Sequence, residues 1–150
     1  MYEMPWSGAR QYGGLSLRLA DVDGDGRLDA VVAALGSDGA LVIHEGVGDG
    51  TFRPPYVVPV GLNVFAAPFV VSDVDLDGRL DFAFASWESV ESAPAVLRGT
   101  PAGGLALAYS GPWTYTSIAV EDLDGNGWPD PALTRWQHPY GLDVLLGRGE

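Results

Sequence analysis

A nine-residue acidic pattern returns three times in this chain at a near-constant interval, and that recurrence limits the fold more than any other feature. It reads DVDGDGRLD at 21–29, DVDLDGRLD at 73–81 and DLDGNGWPD at 122–130. Each copy places carboxylate or carboxamide oxygens at positions 1, 3, 5 and 9, and Gly at position 6, where the chain must turn sharply. Oxygen donors at alternating positions around a tight turn suit Ca²⁺, and the first half has the spacing of an EF-hand loop. The bidentate Glu that closes an EF-hand at position 12 is absent. An apolar run follows position 9 instead, at 30–34 and 82–85, so each loop is expected between two strands rather than two helices.

Asp21 and Asp73 are 52 residues apart, and Asp73 and Asp122 are 49 apart. Joining the two ends of the 150-residue chain gives a third step of 49, so the sequence divides into three repeats without remainder. A period near 50 belongs to propellers and solenoids, whose single repeats cannot bury their own apolar face.

Aligned on the first Asp of each loop, the repeats have the same order of segments. Residues 15–20, 67–72 and 116–121 alternate in hydropathy before the loop, with Leu17, Phe69 and Ile118 in one matching position and Leu19, Val71 and Val120 in another. Such alternation predicts strands with one buried face. Short apolar segments follow the loop at 30–34, 82–86 and 131–134. A third segment ends at an aligned Gly: 41–45 before Gly46, 94–98 before Gly99 and 142–146 before Gly147. A fourth spans 52–60 or 105–110. Four short strands joined by Gly/Pro/Asp turns make a propeller blade. The expected fold is therefore an all-β propeller unit over 1–150, with repeats at about 12–60, 61–111 and 112–150.

The third repeat lacks a fourth strand of its own, and residues 2–7 fall in the phase of that missing strand. Three blades are too few for a ring, since propellers have about four to eight. Two chains would supply six. The expectation is a head-to-tail homodimer in which each N-terminal strand completes its partner's last blade and leaves no open sheet edge. An arc excised or engineered from a longer propeller is the alternative.

At these residues the chain resembles the FG-GAP/VCBS repeat family, the blades of integrin-α-like propellers. Gly13 and Gly14 stand where that family has its FG pair, and residues 33–35 replace GAP. The resemblance implies up to three structural Ca²⁺ sites. In the first, the side-chain ligands would be Asp21, Asp23, Asp25 and Asp29, with the carbonyl of Arg27. In the second they would be Asp73, Asp75, Asp77 and Asp81, with the carbonyl of Arg79. In the third they would be Asp122, Asp124, Asn126 and Asp130, with the carbonyl of Trp128. Asn126 removes one negative charge, which would weaken the third site. An extracellular or cell-surface location is implied as well, although no signal peptide is recognisable at the N-terminus.

Composition agrees with this reading. The 21 Gly and 11 Pro suit a turn-rich β fold, and the 47% hydrophobic content suits a packed core. Eleven of the 20 acidic residues lie in the three loops, so the net charge of −12 is mainly a ligand inventory. The eight Lys and Arg form no run, which argues against nucleic-acid binding. No apolar run approaches the roughly 18 residues of a membrane-spanning helix. With no Cys, thiol chemistry is excluded.

Trp87 and Trp136 each lie six residues past the last Asp of their loops. With Tyr140, and with Glu88, Gln137 and His138 nearby, they are candidates for a carbohydrate- or protein-binding surface. Packing between blades is the plainer role for the same tryptophans. Arg18, on the strand expected to be innermost, is expected in a central channel. His44 and His138 have no neighbouring Ser or Cys, and no carboxylate pair outside the loops has acid–base spacing. The chain is therefore read as a non-catalytic scaffold or adhesion module, with a lectin as the alternative.

Overall fold

The computed structural model describes residues 14–34, 40–60, 68–85, 95–101, 105–110, 115–135 and 139–148. Among them are eleven β-strands in three antiparallel sheets, and no helix. The first sheet is a meander of β1 (Gly14–Ala20), β2 (Asp29–Ala34), β3 (Ala40–His44) and β4 (Tyr56–Pro59). The second repeats it with β5 (Phe69–Ser72), β6 (Asp81–Phe84), β7 (Ala95–Gly99) and β8 (Leu105–Ser110). The third has β9 (Tyr115–Glu121), β10 (Asp130–Arg135) and β11 (Gly141–Val144). The segments 2–7, expected to add its fourth strand, lie outside the described residues, as do Trp87, Trp136, Glu88, Gln137 and His138.

Strand identity follows from local chemistry. The second and third strands of the first two sheets carry short Val-, Ile-, Leu-, Phe- and Ala-rich runs, which fit a pleated surface covered on both sides. All five residues of β3 and all four of β6 are buried. The fourth strand of the first repeat is shorter than the sequence suggested. Pro54 and Pro55 have no N–H to give a ladder, so β4 starts at Tyr56 and Phe52 makes only an isolated bridge with Gly46.

The register decides which side chains meet. In the first sheet Val31 is opposite Ile43, and Ala33 is opposite Leu41. These four residues pack on Phe69, Phe82, Phe84 and Leu97 of the second sheet. Phe69 and Phe84 stack with ring centroids 5.4 Å apart. The opposite face of the second sheet, with Ala83 and Val70, meets Tyr115, Ile118 and Leu133 of the third. The strands β1, β5 and β9 precede the loops in sequence, and β5 neighbours both of the others. Each sheet thus presents one face forward and the other backward, and the core lies in the two joints between sheets.

Two expectations are corrected by this arrangement. Leu17 and Leu19 are exposed instead of buried, because they lie on the face of the first sheet turned away from the second. Arg18, expected in a channel, holds its guanidinium 5.4 Å from the centroid of the buried Phe69 ring and donates to its neighbour's carbonyl, Leu17 O, at 2.8 Å. The β1 register turns Arg18 to the same face as Val31, so it covers the edge of the first joint.

Candidate metal centres

Each acidic loop joins the first two strands of its sheet, and its shape comes from carboxylates turned back on their own backbone. Asp21 Oδ1 accepts from the N–H groups of Gly24 and Asp25 at 2.8 and 3.0 Å, and its Oδ2 accepts from Gly26 at 2.8 Å. Asp122 does the same with Gly125, Asn126 and Gly127 at 2.8, 3.1 and 2.9 Å. Asp73 accepts from Asp77 and Gly78 at 3.0 and 2.8 Å. The residues at position 3 accept from the N–H two residues on, as in Asp23 with Asp25 at 3.0 Å and Asp124 with Asn126 at 3.1 Å. These are Asx turns, the local structures for which Asp and Asn are selected.

The turn needs left-handed backbone at two places. Position 6 is Gly26, Gly78 and Gly127, with φ of 85°, 84° and 88°. Position 4 is Gly24 and Gly125 in the outer loops, with φ of 77° and 76°, but Leu76 in the second, with φ of 57°. A side chain in that region costs about 1–2 kcal/mol. Half of the Leu76 surface faces solvent.

Position 9 behaves differently. Asp29, Asp81 and Asp130 are the first residues of β2, β6 and β10, and all three are buried. Both oxygens of each are used. Asp29 Oδ2 accepts from Val22 N at 2.9 Å and Oδ1 from Gly46 N at 2.8 Å. Asp81 joins Val74 N and Gly99 N, both at 2.9 Å. Asp130 joins Leu123 N at 2.8 Å and Gly147 N at 2.6 Å. One carboxylate therefore clamps the start of the loop to the end of the third strand's segment. Burial pushes the Asp81 carboxyl up, against the pull of the Gly99 and Val74 N–H groups. At Asp130 the short bond from Gly147 dominates and holds the carboxyl down.

The clamp explains the aligned glycines. A Cβ on Gly46 would lie 2.2 Å from Leu28 O, one on Gly99 2.7 Å from Leu80 O, and one on Gly147 2.4 Å from Pro129 O. Sequence reading placed a turn at these glycines and missed the contact, whose only signal was their common phase with position 9.

The metal-directed geometry is the same in all three loops. Asp21, Asp23 and Asp29 each offer an oxygen, and these oxygens lie within 4.8 Å of one another. Asp73, Asp75 and Asp81 form a second such triad, and Asp122, Asp124 and Asp130 a third. Two oxygens on opposite sides of one Ca²⁺ are about 4.6–5.2 Å apart, so the spacing is compatible with a single shared cation. The donors are all hard oxygens, and three carboxylates held this close repel one another without a counter-charge.

Position 5 stands apart from the triads. Asp25 pairs with Arg27 at 2.7 Å, and Asp77 pairs with Arg79. Asp75 is also paired, with Arg98 at 3.1 Å. In the third loop Asn126 replaces ion pairing with amide bonds, from Nδ2 to Asp124 at 3.1 Å and to Gly147 O at 3.0 Å. The position-7 residues Arg27, Arg79 and Trp128 each donate a backbone N–H to the position-5 side chain, at 2.9, 2.9 and 2.7 Å. Of the aromatic residues considered for a ligand surface, Tyr140 is described and is strongly exposed beside β11.

None of the curated proteins matches the chain significantly. Residues 21–84, which hold the first two loops and β2 to β6, match the family model of the FG-GAP-like repeat.

Proposed function

We propose that this protein is a Ca²⁺-stabilised β-propeller module, with the three sheets as blades, that works as a non-catalytic scaffold for adhesion or recognition outside the cell. The observation that carries this reading is the threefold recurrence of an all-oxygen triad within 4.8 Å, in one phase of every repeat. The FG-GAP-like match over residues 21–84 supports the propeller and the extracellular setting. Ca²⁺ would complete each loop with the position-5 side chain and the carbonyls of Arg27, Arg79 and Trp128, after displacing Arg27 and Arg79 from Asp25 and Asp77. Its role is structural: it neutralises carboxylates whose backbone bonds already shape the loop. Extracellular modules bind Ca²⁺ with dissociation constants of about 0.1–1 mM. At about 1 mM Ca²⁺ and a constant of about 0.1 mM, each site adds roughly 1.4 kcal/mol.

Thermal unfolding in Ca²⁺, Mg²⁺ and EDTA tests the reading. The expected result is a midpoint that rises with Ca²⁺ concentration and falls in EDTA. A midpoint unchanged by Ca²⁺ would overturn it. The carbohydrate-binding alternative rests on Trp87, Trp136 and Tyr140, with the exposure of Tyr140 in its favour. Quenching of tryptophan fluorescence by simple sugars at millimolar concentration would favour it.

A further inference from the structure

The joint between neighbouring sheets is made twice within the chain, and each half of that joint is also present, uncovered, at one end. The backward face of the second sheet carries Phe69, and that of the third carries Ile118. These are 0% and 8% exposed, because a preceding sheet sits on each. Leu17 holds the same place in the first repeat, four residues before the first loop Asp, and is 53% exposed. Leu19 beside it is exposed too, although its counterparts Val71 and Val120 pack into the two joints.

The forward faces show the reverse. Leu41 lies five residues before Gly46 and is fully buried against the second sheet. Leu142 lies five residues before Gly147 and is 63% exposed. Val144 repeats the contrast with Ile43, three residues before the same glycines. The register puts Leu142 opposite Thr134 and Val144 opposite Ala132, on the face of the third sheet turned away from the second.

We infer that the forward face of the third sheet, around Leu142 and Val144, seats the backward face of the first sheet, around Leu17 and Leu19, of a second copy of this chain. The inference rests on the propeller reading above. The occupant is a second copy because the two exposed faces are the two halves of a joint this chain already forms. A face-to-different-face contact is heterologous and either closes or grows indefinitely. Two copies joined at both ends give six sheets, within the range of about four to eight that closes a propeller.

Light scattering on a size-exclusion column in Ca²⁺ tests this with the whole chain. The wild type is expected near twice 15.8 kDa. Leu17→Glu and Leu142→Glu are each expected to run as folded monomers, because each destroys one half of both joints. Mixed together, they are expected to restore a one-to-one pair through the joint that remains intact. Circular dichroism and a Ca²⁺-dependent unfolding midpoint check that each variant folds and still responds to the ion. A folded wild-type monomer that responds to Ca²⁺ would overturn the pairing and leave the metal reading standing. A dimer indifferent to Ca²⁺ would do the opposite. Persistence of the dimer in either variant alone, or failure of the mixture to pair, would also overturn the head-to-tail arrangement.

Discussion

Positions 3 and 9 of each loop both carry Asp and both contribute to the same oxygen triad, yet their surroundings differ. Asp29 is buried and spends both oxygens on backbone N–H groups 17 and seven residues away. Asp23 is exposed, and its Oδ1 accepts from Asp25 N, two residues on. The ninth position therefore holds the sheet together without any ion, whereas on the proposed reading the third would contribute mainly once an ion is bound. A repeated acidic motif can thus serve folding and metal binding with different members.

The sharpest way to break this comparison is Asp29→Ala. It strands two buried or half-buried N–H donors, each worth about 1–3 kcal/mol, and is expected to cost about 3 kcal/mol in urea unfolding. The loss should be present in EDTA as well as in Ca²⁺. A loss confined to Ca²⁺ would make position 9 a ligand only. Gly46→Ala attacks the other end of the same clamp. Its Cβ would sit 2.2 Å from Leu28 O, and the forced shift should cost about 1–3 kcal/mol, again in both conditions. Asp23→Ala is the complementary case. It should leave stability in EDTA nearly unchanged and remove about 1.4 kcal/mol of the gain given by about 1 mM Ca²⁺. Equal losses in both conditions would erase the distinction between the two positions. The smallest expected effect is a gain. Leu76→Gly relieves the left-handed backbone at the only non-glycine residue with positive φ among those described. The added freedom of the unfolded chain offsets part of the benefit, leaving about 0.5 kcal/mol. A loss on this substitution would mean that Leu76 makes a contact worth more than its backbone cost.

Much of the local structure was legible in the residues. Alternation in 15–20 and 116–121 placed β1 and β9 to within a residue at each end, and the apolar runs after each loop located β2, β6 and β10. The oxygen pattern named every member of the three triads, because these lie within nine residues of one another, although Asp25 and Asp77, named with them, stand outside. Partners farther away were not legible. The bond from Gly46 to Asp29 crosses 17 residues. Arg27 and Arg79 were read for their carbonyls, and their guanidinium groups on Asp25 and Asp77 went unforeseen. A flexible side chain chooses among several carboxylates by distance, and distance is not written in spacing alone.

Repeat period, strand order and the acidic loops were determined by the sequence itself, because each arises from contacts within one repeat. Only the tertiary structure decided that Phe69 is buried and Leu17 exposed at the same place in that repeat. Their local chemistry and register are alike, and a large apolar side chain fits a strand in either setting. Burial depends on whether another sheet lies against the face, and that is a property of the assembled sheets.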